Sequence, residues 1–66
     1  MEKQVLEMLI KKLQERIDSL SVTLRNGNAA DYAEYKYIVG TVRGLAYAQS
    51  EADDLLRRLE KAENDD

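Results

Sequence analysis

The fold is decided by residues 6–24, LEMLIKKLQERIDSLSVTL, in which apolar residues recur at alternating steps of four and three. The residues of this first seam are Leu6, Ile10, Leu13, Ile17, Leu20 and Leu24. Such steps form a heptad repeat, the pattern of a helix that packs one apolar side against another helix. The stretch therefore predicts a first helix over about residues 2–25.

A second heptad seam follows in the C-terminal half of the chain. Its members are Tyr35, Ile38, Val42, Leu45, Gln49, Ala52, Leu56 and Leu59. Because no proline interrupts it, it predicts a second helix over about residues 29–62. Helices joined by a short connection pack as antiparallel neighbours. The sequence thus predicts an all-α, antiparallel two-helix hairpin that self-associates into a helical bundle, as a single domain over residues 1–66 with an acidic end at about 60–66.

The connection between the helices sets their alignment. Gly27 can take the left-handed conformation that ends helices, and Asn28, followed by Asp31, resembles a helix N-cap with an acidic first turn. A turn over residues 26–28 pairs residues whose numbers sum to about 55, and both seams then coincide.

This register leaves three leucines beyond the first helix: Leu55, Leu56 and Leu59. Their burial would contribute about 1.5 to 3 kcal/mol per side chain, so we expect a second chain to cover them. A homodimer is the simplest arrangement and a larger host protein the competing one. The alternative is that this end frays, or folds back over the start of the first helix.

Gln49 is the polar member of the second seam. A single polar residue at a seam position can specify the register of a helix pair. The other interpretation is that the seam ends there.

A further face of the second helix carries Tyr37, Gly40, Gly44 and Tyr47, opposite the seam; we refer to it as the glycine face. Each glycine inside a helix costs about 1 kcal/mol relative to alanine. Glycines four residues apart let two helices approach closely, and aromatic side chains are common at protein interfaces. The pattern favours a partner-binding surface, with Arg43 beside the glycines as its charged contact; the occupant is another copy, a different protein, or none if the feature is incidental.

Composition argues against an enzyme. The chain has no His and no Cys, so the usual proton shuttles, thiol nucleophiles and zinc ligands are missing. Glu51 and Asp54 lie one turn apart, as metal-binding carboxylates can, but solvated ion pairs of Asp53 with Arg57 and of Asp54 with Arg58 explain this segment better. We therefore predict no catalytic, cofactor-binding or metal-binding residue and no cofactor.

The charge distribution narrows the class of partner. The net charge is -3, and the acidity lies in the last sixteen residues, whereas Lys11, Lys12 and Arg16 form only a small basic patch. Nucleic-acid binders usually carry a larger basic stripe, so we expect no direct nucleic-acid binding. No apolar stretch approaches the length of a membrane span, and we expect no membrane association.

Residues 31–45, DYAEYKYIVGTVRGL, carry a resemblance. They resemble a group of short, largely uncharacterised proteins of tailed bacteriophages, encoded beside virion structural genes, with an acidic-Tyr motif followed by a Gly-x-x-Arg-Gly-Leu pattern. The resemblance implies a viral protein, a virion-associated accessory or assembly protein, in the host cytoplasm or the virion. The alternative is a phage-encoded inhibitor that binds a host protein.

Overall fold

The computed structural model describes residues 2–64, with side chains for residues 2–63. It consists of helix α1 (Glu2–Arg25) and helix α2 (Tyr32–Asn64), packed against each other in a hairpin with principal extents of 54 × 14 × 14 Å. The predicted all-α hairpin is confirmed, and α1 has the predicted bounds. The last two residues of the predicted acidic end, at 65 and 66, lie outside the described residues.

Helix α1 ends in a Schellman motif. The backbone N–H of Asn28 donates to the carbonyl of Thr23 (3.1 Å) and that of Gly27 donates to Leu24 (3.2 Å). Gly27 has a φ of 67°, which a glycine adopts without the steric cost that a side chain would add. The predicted role of Gly27 as the helix terminator is correct.

Helix α2 begins three residues later than predicted, because Asp31 rather than Asn28 is its N-cap. The Asp31 Oδ1 atom accepts a hydrogen bond from the backbone N–H of Glu34 (2.8 Å), and Glu34 Oε2 accepts one from the N–H of Ala30 (3.1 Å). This reciprocal pair is a variant of the capping box, in which the side chain at the third helical position reaches back over the start of the helix. The connection therefore spans residues 26–31.

The longer connection changes the alignment of the helices. Gln49 Nε2 donates to Gln14 Oε1 at 2.7 Å across the hairpin, and Lys3 Nζ lies 3.6 Å from Glu60 Oε2 and 3.9 Å from Glu63 Oε2. Facing residues therefore have numbers that sum to about 62 or 63, one heptad more than predicted. One heptad is about 10.5 Å along a helix.

The predicted leucine overhang is therefore wrong. In the observed register α1 reaches the level of Glu60, and Lys3 contacts it. Leu56 and Leu59 are half-buried, while Leu55 remains exposed. The seam does not end at Gln49 either, since Ala52 beyond it is buried.

The core of the hairpin is small. Among the described residues only Ile38 and Ala52 are buried, at 6% and 5% exposure. All of the α1 seam residues are half-buried, as are most of those on α2. Tyr35 departs from the predicted seam and is exposed, because it lies beyond the last turn of α1 in this register; its ring stacks on that of Tyr32, with centroids 6.4 Å apart.

Candidate protein-interaction surfaces

The glycine face is exposed over its whole length. Tyr37 and Tyr47 are 73% and 70% exposed, and Gly40 and Gly44 are also exposed. A Cβ atom built on either glycine would meet nothing within 4 Å. The two glycines therefore make no close approach to any part of their own hairpin.

Helix periodicity explains why hairpin folding leaves this face bare. At about 100° per residue, the centre of the glycine face lies roughly 140° around α2 from the centre of the seam. Helix α1 covers the seam side, including the buried Ile38. The sequence correctly separated the two sides of this helix, and whatever packs against the glycine face must come from outside the hairpin.

Arg43 is exposed and lies on one flank of the glycine face. It makes no ion pair within the described side chains. At the start of α2, by contrast, Lys36 Nζ lies 5.7 Å from the centroid of the Tyr32 ring, a cation–π geometry.

A second exposed surface lies at the opposite end of the hairpin from the connection, and we refer to it as the terminal patch. It comprises Val5, Met8, Leu9 and Leu55, all exposed. The observed register brings the first turns of α1 level with the C-terminal part of α2, so the four side chains lie at the same end of the molecule. Four exposed apolar side chains at one end of a small hairpin exceed the single exposed apolar residues that are ordinary on protein surfaces.

Three members of the terminal patch were missed by the sequence reasoning, which predicted only Leu55. The available signal was that Val5, Met8 and Leu9 are apolar residues of α1 that lie outside its heptad seam. The predicted partner residues Leu56 and Leu59 do not belong to this exposed surface. Leu59 instead lines a surface depression of about 250 Å³ with Glu2, Lys3 and Glu63.

The polar and charged side chains of the described residues are all at least partly exposed to solvent. None of the buried residues among those described is polar or charged. Residues 2–64 contain no group of three or more His, Cys, Asp or Glu side chains placed to hold a metal ion. Asp54 pairs with Arg57 at 3.7 Å, in an exposed contact one turn along the helix, rather than with Arg58 as the sequence suggested.

A second surface depression, of about 260 Å³, is lined by Met8, Lys11, Lys12 and Glu15. It adjoins the terminal patch through Met8.

Within the described part of the chain, neither helix has a stretch both long enough and apolar enough to cross a membrane.

Comparisons with known proteins found no relative of this chain. The chain matches no protein-family model, and searches of curated proteins and of solved structures returned no match.

Proposed function

We propose that this chain is a non-catalytic protein-interaction module that acts in a bacteriophage programme as a virion-associated accessory or assembly protein. The observation that carries the proposal is the imbalance between core and surface. Two residues are buried in the described chain, whereas two apolar surfaces, the glycine face and the terminal patch, are open to solvent. A hairpin with this distribution can bury more apolar surface by binding another protein than it buries by folding alone.

The kind of surface supports a protein partner rather than a small molecule. Small-molecule sites are concave and bury most of their ligand, whereas the glycine face and the terminal patch lie along the outside of helices. Exposed tyrosine, methionine and leucine side chains are suited to helix-mediated protein contacts.

The phage assignment rests on residues 31–45, whose pattern resembles that of small proteins encoded beside virion genes. In that setting a 7.6 kDa protein without His or Cys acts by occupying a surface of a larger assembly. The terminal patch is the part of α1 best suited to this contact, because Val5 and Met8 are its most exposed apolar side chains.

Mass spectrometry of purified virions tests the proposal. We expect the wild-type protein in the particles, and we expect incorporation to be lost when Val5→Lys and Met8→Lys are combined. Val22→Lys is the control, because it introduces a lysine at an exposed valine of the same helix outside the patch. The control variant should be incorporated normally.

Absence of the wild-type protein from virions would contradict the virion role. A host protein recovered in stoichiometric amount with the tagged chain from infected cells would then favour the inhibitor alternative. Equal incorporation of the patch variant and its control would instead remove the terminal patch as the contact surface.

A further inference from the structure

The glycine face has the same residue pattern in both directions along α2. Tyr37 and Tyr47 lie equally far on either side of Val42, and so do Gly40 and Gly44. If two copies of α2 pack antiparallel about a two-fold axis at the level of Val42, each Gly40 lies level with Gly44 of the other copy. Each Tyr37 likewise lies level with the other copy's Tyr47. Self-complementarity of this kind is what a symmetric dimer interface requires.

The hairpin exposes more surface than a compact protein of its mass, and the excess is close to the area that one such interface buries. A compact folded protein of 7.6 kDa exposes about 4,300 Å² of surface, whereas this chain exposes 5322 Å². The excess of about 1,000 Å² compares with roughly 800 Å² buried by each partner in a standard protein–protein interface. One further copy is therefore enough to bring the exposed area to that of a compact protein.

The charges along the glycine face favour antiparallel pairing. Lys36 lies near one end of the face and Glu51 near the other, both exposed. With the axis at Val42, Lys36 of each copy lies within one helical turn of Glu51 of the second copy, so the symmetric pair forms this contact twice. A parallel pairing would instead place like charges level with each other.

We infer that the glycine face is covered by a second copy of this chain, through an antiparallel contact between the two α2 helices centred at Val42. The inference rests on the proposed function as a protein-binding module and names one of its partners. Gly40 and Gly44 let the two backbones approach closely, and the tyrosines pack along the edges of the contact. The α1 helices lie on the outside of the four-helix layer, which leaves Val5 and Met8 free for a different protein.

Sedimentation equilibrium over a range of concentrations is the first test. We expect wild-type chains to form dimers, and we expect Tyr37→Ala combined with Tyr47→Ala to raise the dissociation constant about tenfold or more. Tyr32→Ala is the control: Tyr32 is 72% exposed but lies off the glycine face, so its loss should raise the constant far less than the loss of Tyr37 and Tyr47. A monomeric wild-type protein at all concentrations would overturn the inference.

Cross-linking tests the antiparallel geometry on the otherwise intact chain. Ala33 and Glu51 lie equally far from Val42 at the centre line of the face, and both are exposed. A mixture of Ala33→Cys chains and Glu51→Cys chains, treated with a short bismaleimide, should give mainly the mixed dimer. Products that link only identical variants would overturn the antiparallel arrangement.

The Arg43→Ala variant distinguishes between two possible occupants of the glycine face, a second copy of this chain and an acidic protein. In the symmetric pair the two Arg43 side chains lie on the same flank near the axis, so their charges repel. Arg43→Ala should therefore tighten the dimer, whereas it would weaken the binding of an acidic protein; a weakened dimer would contradict the inference. Virion incorporation is measured independently, so a monomer that enters virions would overturn the self-pairing and leave the proposed function standing.

Discussion

The two sides of α2 differ in composition and in what they contact. The side that faces α1 carries branched or small apolar residues, including the buried Ile38 and Ala52. The other side carries Gly40 and Gly44, which lower helix propensity and touch nothing in the hairpin. One helix therefore stabilises its own fold on one side and carries a destabilising feature on the other.

The contrast teaches how exposed glycines should be interpreted. If the glycines were needed for the hairpin, a Cβ atom at either position would collide with α1 or with the connection, and neither does. The proposed contact with a second copy would explain glycines that cost helix stability and touch nothing within the chain. The same logic applies to Tyr37, whose ring is largely exposed, whereas its neighbour Ile38 is buried.

The largest expected effect is on the α1 side of α2. Ile38→Ala should lower the free energy of unfolding by about 2 to 5 kcal/mol, because it removes buried methyl groups and leaves a cavity. Urea denaturation followed by circular dichroism measures the loss. Val22→Ala, at an exposed valine on α1, is the control and should cost far less; equal losses would show that the small core does not stabilise the hairpin.

An intermediate effect is expected at the start of α2. Asp31→Ala should lower the free energy of unfolding by about 1 kcal/mol, because it removes the oxygen that caps the N–H of Glu34. Thermal and urea denaturation of Asp31→Ala and Asn28→Ala distinguish the two candidate caps. A larger loss for Asn28→Ala would restore the shorter connection and with it the predicted overhang.

The smallest effect, and one of opposite sign, is expected on the glycine face. Gly44→Ala should raise the stability of the single hairpin by up to about 1 kcal/mol, because alanine favours the helix and the added methyl group has open space. The measurement is made at chain concentrations below the dimer dissociation constant. A loss of stability in the dilute hairpin would show that the glycines serve the fold after all, and the contrast between the two sides of α2 would disappear.

Most of the secondary structure was accessible to sequence reasoning. The heptad seams predicted both helices, and Gly27 marked the end of α1 correctly. The start of α2 was misplaced because Asn28 and Asp31 are both good N-cap residues. The capping pattern of Asp31 followed by Glu34 was the signal that could have separated them.

The two candidate surfaces also differ in how far the sequence predicts them. The exposure of the glycine face was predictable, because Tyr37, Gly40, Gly44 and Tyr47 lie at helical spacing away from the seam. The terminal patch was not, because recognising it requires knowing which part of α2 lies beside Val5 and Met8. The predicted free leucines depended on the same information, and two of the three are half-buried.

The sequence by itself determined that the chain forms two helices and which side of each is apolar, since both follow from local spacing. The heptad spacing did not determine the register, because a shift of one heptad returns the same two seams to contact with equal regularity. The tertiary structure decided between these alternatives through the cap at Asp31, the Gln14–Gln49 hydrogen bond and the contact of Lys3 with Glu60. Those interactions differ between the two registers, whereas the heptad pattern does not.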